Sequence, residues 1–150
     1  AKFFLSFGAQ VRVNDIVPKE EFCVKHNTQA VDLIEGLEWC DLVSLHCSLN
    51  ESSRNLISQN KLLLLKNKIL INTSRSEVVD QAALFKMLKN NEVSACLDVF
   101  DKEPFLSGID FRGQNHIILS PHSAANSQQG QWDMGKAAID LLCEAIDVNQ

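Results

Sequence analysis

The sequence predicts an α/β fold, in which a doubly wound parallel sheet carries helices on both faces within one domain. Short apolar runs of strand type alternate along the chain with stretches whose apolar side chains recur at helical spacing. The run of Ile69, Leu70 and Ile71 suits a buried strand, and polar residues follow it at once. Strands that alternate with helices are joined by crossovers, so we expect them to lie parallel.

Turn residues and periodicity predict the elements of the first half. Gly8 can adopt the left-handed conformation that ends a helix, and Val11 and Val13 alternate with polar residues as in a strand. After residue 30, apolar side chains recur near helical spacing. These patterns predict a helix over 2–7, a strand over 9–15, a charged link that contains Pro18, a helix over 30–39 and a strand over 41–46.

The second half is organised by two potential N-caps and one long amphipathic stretch. Ser58 and Asp80 can each accept a hydrogen bond from the first turn of a helix, and the apolar positions after Ser127 share one face. These patterns predict helices over 58–65, 80–89 and 127–146, strands over 68–73, 93–98 and 116–120, and an irregular loop that holds Pro104 and Gly108.

Composition and charge exclude several classes of function. The net charge is −5, and no cluster of Lys and Arg interleaves with aromatic residues, so nucleic acid is not an expected partner. No apolar run approaches the ~18 residues that span a bilayer, and the first residues lack a secretory signal, so we expect a cytoplasmic protein without a membrane partner. The five cysteines contain no Cys-x-x-Cys pair, which favours reduced thiols and no metal site.

Four polar residues, Arg75, Asp98, Glu103 and His122, come after predicted strands, at the edge where open α/β sheets bind their ligands. Arginine can hold a carboxylate through two parallel N–H groups. Histidine can give and take a proton near neutral pH, and a neighbouring carboxylate favours its charged form. Together these groups suit oxidation of an alcohol beside a carboxylate, with hydride passing to a cofactor.

Each of these residues also has a simpler interpretation. Arg75 could pair with a carboxylate of its own loop, and Asp98 could accept a hydrogen bond from a backbone amide at a turn. Glu103 could be a solvated loop charge, and His122 could cap a strand end.

Five stretches carry a resemblance to a known family. Residues 71–80 (INTSRSEVVD), 97–104 (LDVFDKEP) and 120–124 (SPHSA) resemble the signature of the NAD-dependent D-isomer-specific 2-hydroxyacid dehydrogenases. Residues 41–49 (DLVSLHCSL) and 55–57 (NLI) are similar to that family's middle strand and following loop. The resemblance covers nearly the whole chain in register. It implies that residues 1–150 are a partial, Rossmann-like NAD-binding domain, truncated at its N-terminus.

The resemblance implies a role for each matching residue. Arg75 would bind the substrate carboxylate, Glu103 would tune the histidine, and His122 would be the acid/base. Asp15, at a predicted strand end, would receive the ribose hydroxyls of NAD, although an aspartate there is also a common turn former. The other NAD-binding residues implied are Cys47, Thr73, Ser74, Arg75, Asp98, His122 and Ala124.

Three features depart from the family pattern. Ser76 stands where the family has glycine after its arginine, and Ser48 stands where proline is usual. A dinucleotide fold has its glycine-rich turn about 20 residues before the ribose acid, and counting back from Asp15 passes Ala1. We therefore expect a chain without that turn, its preceding central strand and the substrate domain, in which the strands near Asp15 and Asp41 either leave a gap or are forced together.

The resemblance implies an oxidoreductase that transfers hydride between NAD(H) and a small D-2-hydroxy acid or 2-keto acid, acting as a homodimer. The 150-residue chain alone is expected to be inactive. One alternative is a non-catalytic NAD-sensing module like the family's corepressor branch, which residues 46–51 resemble. The other is an inactive fragment that binds nothing.

Overall fold

The computed structural model describes residues 1–17, 19–102 and 114–147. Its strands form two parallel sheets, which confirms the predicted fold class. The strands are β1 (Arg12–Val13), β2 (Gln29–Ala30), β3 (Leu42–Leu45), β4 (Ile69–Asn72), β5 (Ser94–Leu97) and β6 (Ile117–Leu119). A four-stranded sheet has the order β3-β4-β5-β6, and β1 pairs with β2 in a separate two-stranded sheet.

Six α-helices lie in the described residues: α1 (Lys2–Ser6), α2 (Glu20–His26), α3 (Leu33–Trp39), α4 (Gln59–Leu63), α5 (Gln81–Lys89) and α6 (Gln128–Asp147). The predicted N-cap of α5 is confirmed, because the Asp80 side chain accepts a hydrogen bond of 3.0 Å from the Ala83 N–H. Gly8 follows α1 with a φ of +81°, as its predicted role requires. In the described residues, no helix is both long enough and apolar enough to cross a membrane.

The core lies between the four-stranded sheet and helices α3, α4 and α5. Leu70, at the centre of β4, is 0% exposed and belongs to one cluster with Leu37, Leu62 and Leu84 from the three helices. The neighbouring Ile69 is 39% exposed, so β4 is buried mainly on one face. Packing of this face holds the strand whose end carries the candidate site.

The structure corrects three predictions for the N-terminal part. The predicted strand over 9–15 is only β1, which pairs over two residues with β2. The predicted helix over 30–39 begins at Leu33, because Asp32 takes the N-cap position and Ala30 belongs to β2. The charged link contains α2, whose first turn is acidic and whose last turn is basic, as the helix dipole favours.

Helix α3 contacts residues of both sheets. Arg12 on β1 donates from Nη1 to Glu35 Oε1 at 2.9 Å, and its guanidinium lies 4.3 Å from the ring centre of Trp39. Lys68, directly before β4, donates from Nζ to the carbonyls of Leu37 and Glu38 at 2.7 Å each. These two hydrogen bonds cap the end of α3. Among the described strands, β1 and β3 belong to different sheets and share no hydrogen bonds, so these two strands are not forced together into one sheet.

Candidate active site

The candidate site lies at the carboxyl edge of the four-stranded sheet. Because the strands are parallel, the loops that follow all four of them open on this edge. They are residues 46–49 after β3, residues 73–76 after β4, the stretch from Asp98 after β5 and residues 120–124 after β6.

The loop after β4 is held by Asn72, a side chain that is 1% exposed. Its Oδ1 accepts hydrogen bonds from the N–H of Ser74 at 3.0 Å and from the Ser74 hydroxyl at 2.9 Å. Its Nδ2 donates to the carbonyl of Arg75 at 2.9 Å. The Arg75 side chain is exposed at the end of this turn, and its Nη1 donates to the Ser74 carbonyl at 2.6 Å.

Ser76 fits this loop without backbone strain. It does not have a positive φ and begins a 3-10 helix, Ser76–Val78. The left-handed conformation that would require glycine is therefore not used at this position. The side chain is 3% exposed, and its hydroxyl donates to Glu77 Oε2 at 2.9 Å.

Asp98 is buried behind the loop that follows β6, at 2% exposure. Its carboxylate accepts hydrogen bonds from the Ser120 hydroxyl at 2.6 Å and from the N–H groups of Ser123 and Ala124 at 2.9 Å each. Burial raises the pKa of Asp98, but these hydrogen bonds and the nearby His122 outweigh it and hold the pKa below its usual value. An ionised Asp98 therefore fixes the loop that carries His122, as the simpler interpretation of this residue predicted.

His122 has a left-handed backbone, with a φ of +53°. A side chain other than glycine in this conformation costs about 1–2 kcal/mol, so surrounding contacts must hold it. The His122 N–H donates to the Ser120 carbonyl at 3.0 Å, and Asp98 binds the next two amides. Sequence patterns did not predict this conformation, because only a few per cent of residues other than glycine adopt it.

Two open clefts meet at Arg75. The first, of about 400 Å³, brings together the predicted cofactor residues Cys47, Thr73, Ser74 and Arg75. The second, of about 280 Å³, is lined by both Arg75 and His122. Two candidate catalytic residues that are far apart in sequence therefore share one cleft.

Three other predicted site residues, Asp15, Asp98 and Ala124, are described by the structure but do not line either cleft. Asp15 is exposed after β1, where its carboxylate accepts the Val17 N–H at 2.9 Å and lies 3.5 Å from Lys19 Nζ. The hydrogen bond from Val17 lowers the pKa of Asp15. Slight burial opposes this effect, and the charge of Lys19 lowers the pKa further. The described linings of the two clefts include neither Asp98 nor Ala124. Glu103 lies outside the described residues.

Sequence reasoning did not assign His46 to the site, yet this side chain lines the first cleft. Its Nε2 lies 2.8 Å from the Ser44 hydroxyl oxygen. Its position directly after β3 was the available signal, since that is where the other cleft residues stand relative to their strands.

The residues present fit part of a dinucleotide site. An ionised, exposed carboxylate such as Asp15 suits a pair of ribose hydroxyls, and the first cleft offers hydroxyl, thiol and guanidinium groups beside the sheet. The chain has no Gly-x-Gly-x-x-Gly turn for a pyrophosphate. Within the described residues, no three His, Cys, Asp or Glu side chains are grouped so that they could hold a metal ion.

Solved structures share this architecture. The PH0520 protein from Pyrococcus horikoshii OT3 aligns with a TM-score of 0.90 and 26% identity, over 95% of this chain and 43% of that protein. The NAD-complexed D-isomer specific 2-hydroxyacid dehydrogenase from Lactobacillus delbrueckii ssp. bulgaricus aligns with a TM-score of 0.79 and 28% identity, over 98% and 49% of the two chains.

A curated relative is similar in sequence. The glyoxylate reductase of Korarchaeum cryptofilum is 35% identical over 138 residues, which are 91% of this chain and 42% of that protein. This chain therefore spans less than half the length of the relatives it matches. The family model described as D-isomer specific 2-hydroxyacid dehydrogenase, NAD binding domain, matches residues 1–124. With its parallel sheet, the chain therefore belongs to the NAD-binding domains of the D-isomer specific 2-hydroxyacid dehydrogenases, whose cofactor is NAD.

Proposed function

We propose that this chain is the cofactor-binding part of a dehydrogenase that interconverts a small D-2-hydroxy acid and its 2-keto acid. The observation that carries this proposal is the single cleft lined by Arg75 and His122, which come from loops after two different strands. Similarity to proteins named glyoxylate reductase, (S)-sulfolactate dehydrogenase and D-lactate dehydrogenase supports the same reaction class.

In this proposal Arg75 binds and orients the acid. A guanidinium matches a carboxylate through two parallel N–H donors and stays charged at any working pH. Asn72 fixes the backbone around Arg75 through hydrogen bonds to the Ser74 N–H and the Arg75 carbonyl, so the arginine is anchored at the edge of the cleft. A carboxylate bound there would occupy the same cleft as His122, as proton transfer to the neighbouring oxygen requires.

His122 is proposed to move the proton. Its imidazole would take the hydroxyl proton during oxidation and return it to the carbonyl oxygen during reduction. Asp98 lies close enough to His122 for their charges to interact, and its hydrogen bonds to the Ser123 and Ala124 N–H groups fix the loop that carries His122. Glu103 is proposed as a second carboxylate partner of His122, on the basis of the family resemblance.

NAD supplies the hydride acceptor or donor for this reaction when it is bound. Asp15 is proposed to accept hydrogen bonds from the ribose hydroxyls, and Cys47, Thr73 and Ser74 to line the path toward the reacting carbon. Asp98 and Ala124 are proposed to act at this site indirectly. The hydrogen bond between the Ala124 N–H and the Asp98 carboxylate fixes the loop that carries His122.

Assembly as a homodimer and a cytoplasmic location belong to the same proposal. Large apolar side chains of α6, among them Trp132, Leu141 and Leu142, are exposed in this chain, which suits burial against another surface. All five cysteines are free, which suits a reducing compartment.

The experiment uses the full-length protein that contains this chain and follows NADH oxidation with glyoxylate, pyruvate and hydroxypyruvate. We expect turnover, and we expect His122→Ala to lower kcat by about 100- to 10,000-fold, because the proton donor is lost. His26→Ala, on α2 and away from both clefts, is the matched control and should stay near wild type.

A second function, NAD sensing without catalysis, is favoured by residues 46–51, which resemble the corepressor branch and partly line the first cleft. It would be indicated by dimerisation that tightens with NAD while none of the three keto acids is reduced. Turnover that survives unchanged in His122→Ala would contradict the catalytic proposal.

A further inference from the structure

The second cleft contains a fixed negative charge beside its catalytic pair. Besides Arg75 and His122, its lining includes the acidic residues Glu77 and Asp101. Asp101 is exposed, whereas Glu77 is partly buried. A bound substrate carboxylate would neutralise Arg75. The charged residues that remain on the described lining are then Glu77, Asp101 and His122, and the proposed reaction uses the proton of His122.

Glu77 is held in place by its neighbours. The buried Ser76 hydroxyl donates to its Oε2 at 2.9 Å, and the Ser76 carbonyl accepts from Gln81 Nε2 at 2.8 Å. The Glu77 carbonyl accepts from the Asn55 N–H at 2.7 Å. A carboxylate fixed at both backbone and side chain cannot easily turn away from an approaching anion.

Glu77 is also ionised at neutral pH. Hydrogen bonds from its own backbone N–H and from Ser76 hold the pKa of Glu77 below its usual value, against a small opposing effect of burial. Arg54 and Arg75 lower this pKa further through their charge. Arg54 is not among the described residues that line the cleft.

We propose that Glu77 makes this cleft selective for 2-keto and 2-hydroxy acids with a single negative charge, by repelling a second anionic group on the substrate. This inference rests on the function proposed above for the same cleft. Arg75, Glu77 and His122 all line this cleft of about 280 Å³, so a second anionic group on an acid held there by Arg75 would approach Glu77. At physiological ionic strength the Debye length is ~8 Å, so salt screens such a short approach only in part.

The test compares two keto acids of the same shape on the full-length protein with saturating NADH. Oxaloacetate carries a second carboxylate where 4-methyl-2-oxopentanoate carries two methyl groups. We expect Glu77→Gln to raise the ratio of kcat/KM for oxaloacetate to kcat/KM for 4-methyl-2-oxopentanoate by about fivefold, the size of one partly solvated charge interaction. Ser76→Ala, which removes the hydroxyl that holds Glu77, should raise the same ratio by a smaller factor.

Glu92→Gln is the matched control, because it removes the same charge at the opposite edge of the sheet, just before β5. Its ratio should equal that of the wild type. If Glu77→Gln and Glu92→Gln leave the ratio equally unchanged while turnover persists, the selectivity role of Glu77 is wrong and the dehydrogenase proposal stands. If the wild type reduces no 2-keto acid at all, the proposed function fails and this inference fails with it.

Discussion

The four-stranded sheet region, residues 37–120, and the N-terminal region, residues 1–30, differ sharply in how they are packed. Every buried member of the main apolar cluster lies between Leu37 and Phe100. Among the described residues of the N-terminal region, only Cys23 is buried. Arg75 thus stands on the densely packed region and His122 on the loop that directly follows it, whereas Asp15 stands on a region in which only Cys23 is buried. The two ends of the proposed cofactor site should therefore differ in rigidity.

The largest effect should separate the two regions directly. We expect Leu70→Ala to lower the free energy of unfolding by about 2–5 kcal/mol, because Leu70 is 0% exposed at the centre of β4 and its loss leaves a cavity. Ile16→Ala, at 87% exposure in the N-terminal region, should change it by no more than about 0.5 kcal/mol. Urea unfolding of both variants measures the difference, and equal losses would contradict the comparison.

A smaller effect is expected for the carboxylate that holds the His122 loop. Asp98→Asn should cost about 2 kcal/mol at pH 7, because the loop N–H groups and the Ser120 hydroxyl lose acceptor oxygen and charge. The pKa of Asp98 is depressed in the folded chain from an ordinary value of 3.8. Its contribution is therefore complete above that value and is lost as the pH falls through the depressed pKa.

Urea unfolding of wild type and Asp98→Asn, repeated from pH 7 down to pH values below 3.8, checks this sign. The difference between the two proteins should shrink only at the acidic end. A difference that is constant with pH would mean that the charge of Asp98 does not contribute.

The smallest effect concerns the connection between the two regions. Arg12→Ala removes both the ion pair with Glu35 and the contact with the Trp39 ring, each worth about 0.5–1 kcal/mol at an exposed site. Hydrogen exchange should speed up at the Val31 amide, which bonds to Val13 across the small sheet, and stay unchanged at the Ala95 amide in the large one. Equal acceleration at both amides would show that the regions open together.

Sequence patterns predicted best where local signals and burial agreed. Asp80 caps α5 as its side chain and position required, and the run around Leu70 became the central strand. Helix α2 was missed because only Cys23 of its seven residues is buried, so it shows little apolar periodicity. Its stabilising signals are charges at its two ends, which also occur in loops.

For the candidate site, the sequence could place residues after strands but could not show which way they face. Arg75 and His122 share a cleft, as parallel strands predict, whereas Asp98 faces the backbone of residues 123–124. Both outcomes are compatible with an aspartate at a strand end. The left-handed backbone of His122 depends on these long-range hydrogen bonds. No local residue pattern therefore predicts this conformation.

The side chain of Asn72 has a consequence for ligand affinity. Its hydrogen bonds fix the turn around Arg75 before any acid arrives. The conformational entropy of that turn is therefore given up during folding, when burial of β4 compensates for it, and not during capture of the ligand. A flexible loop with the same arginine would have to lose that freedom in each binding event and would hold a small acid more weakly.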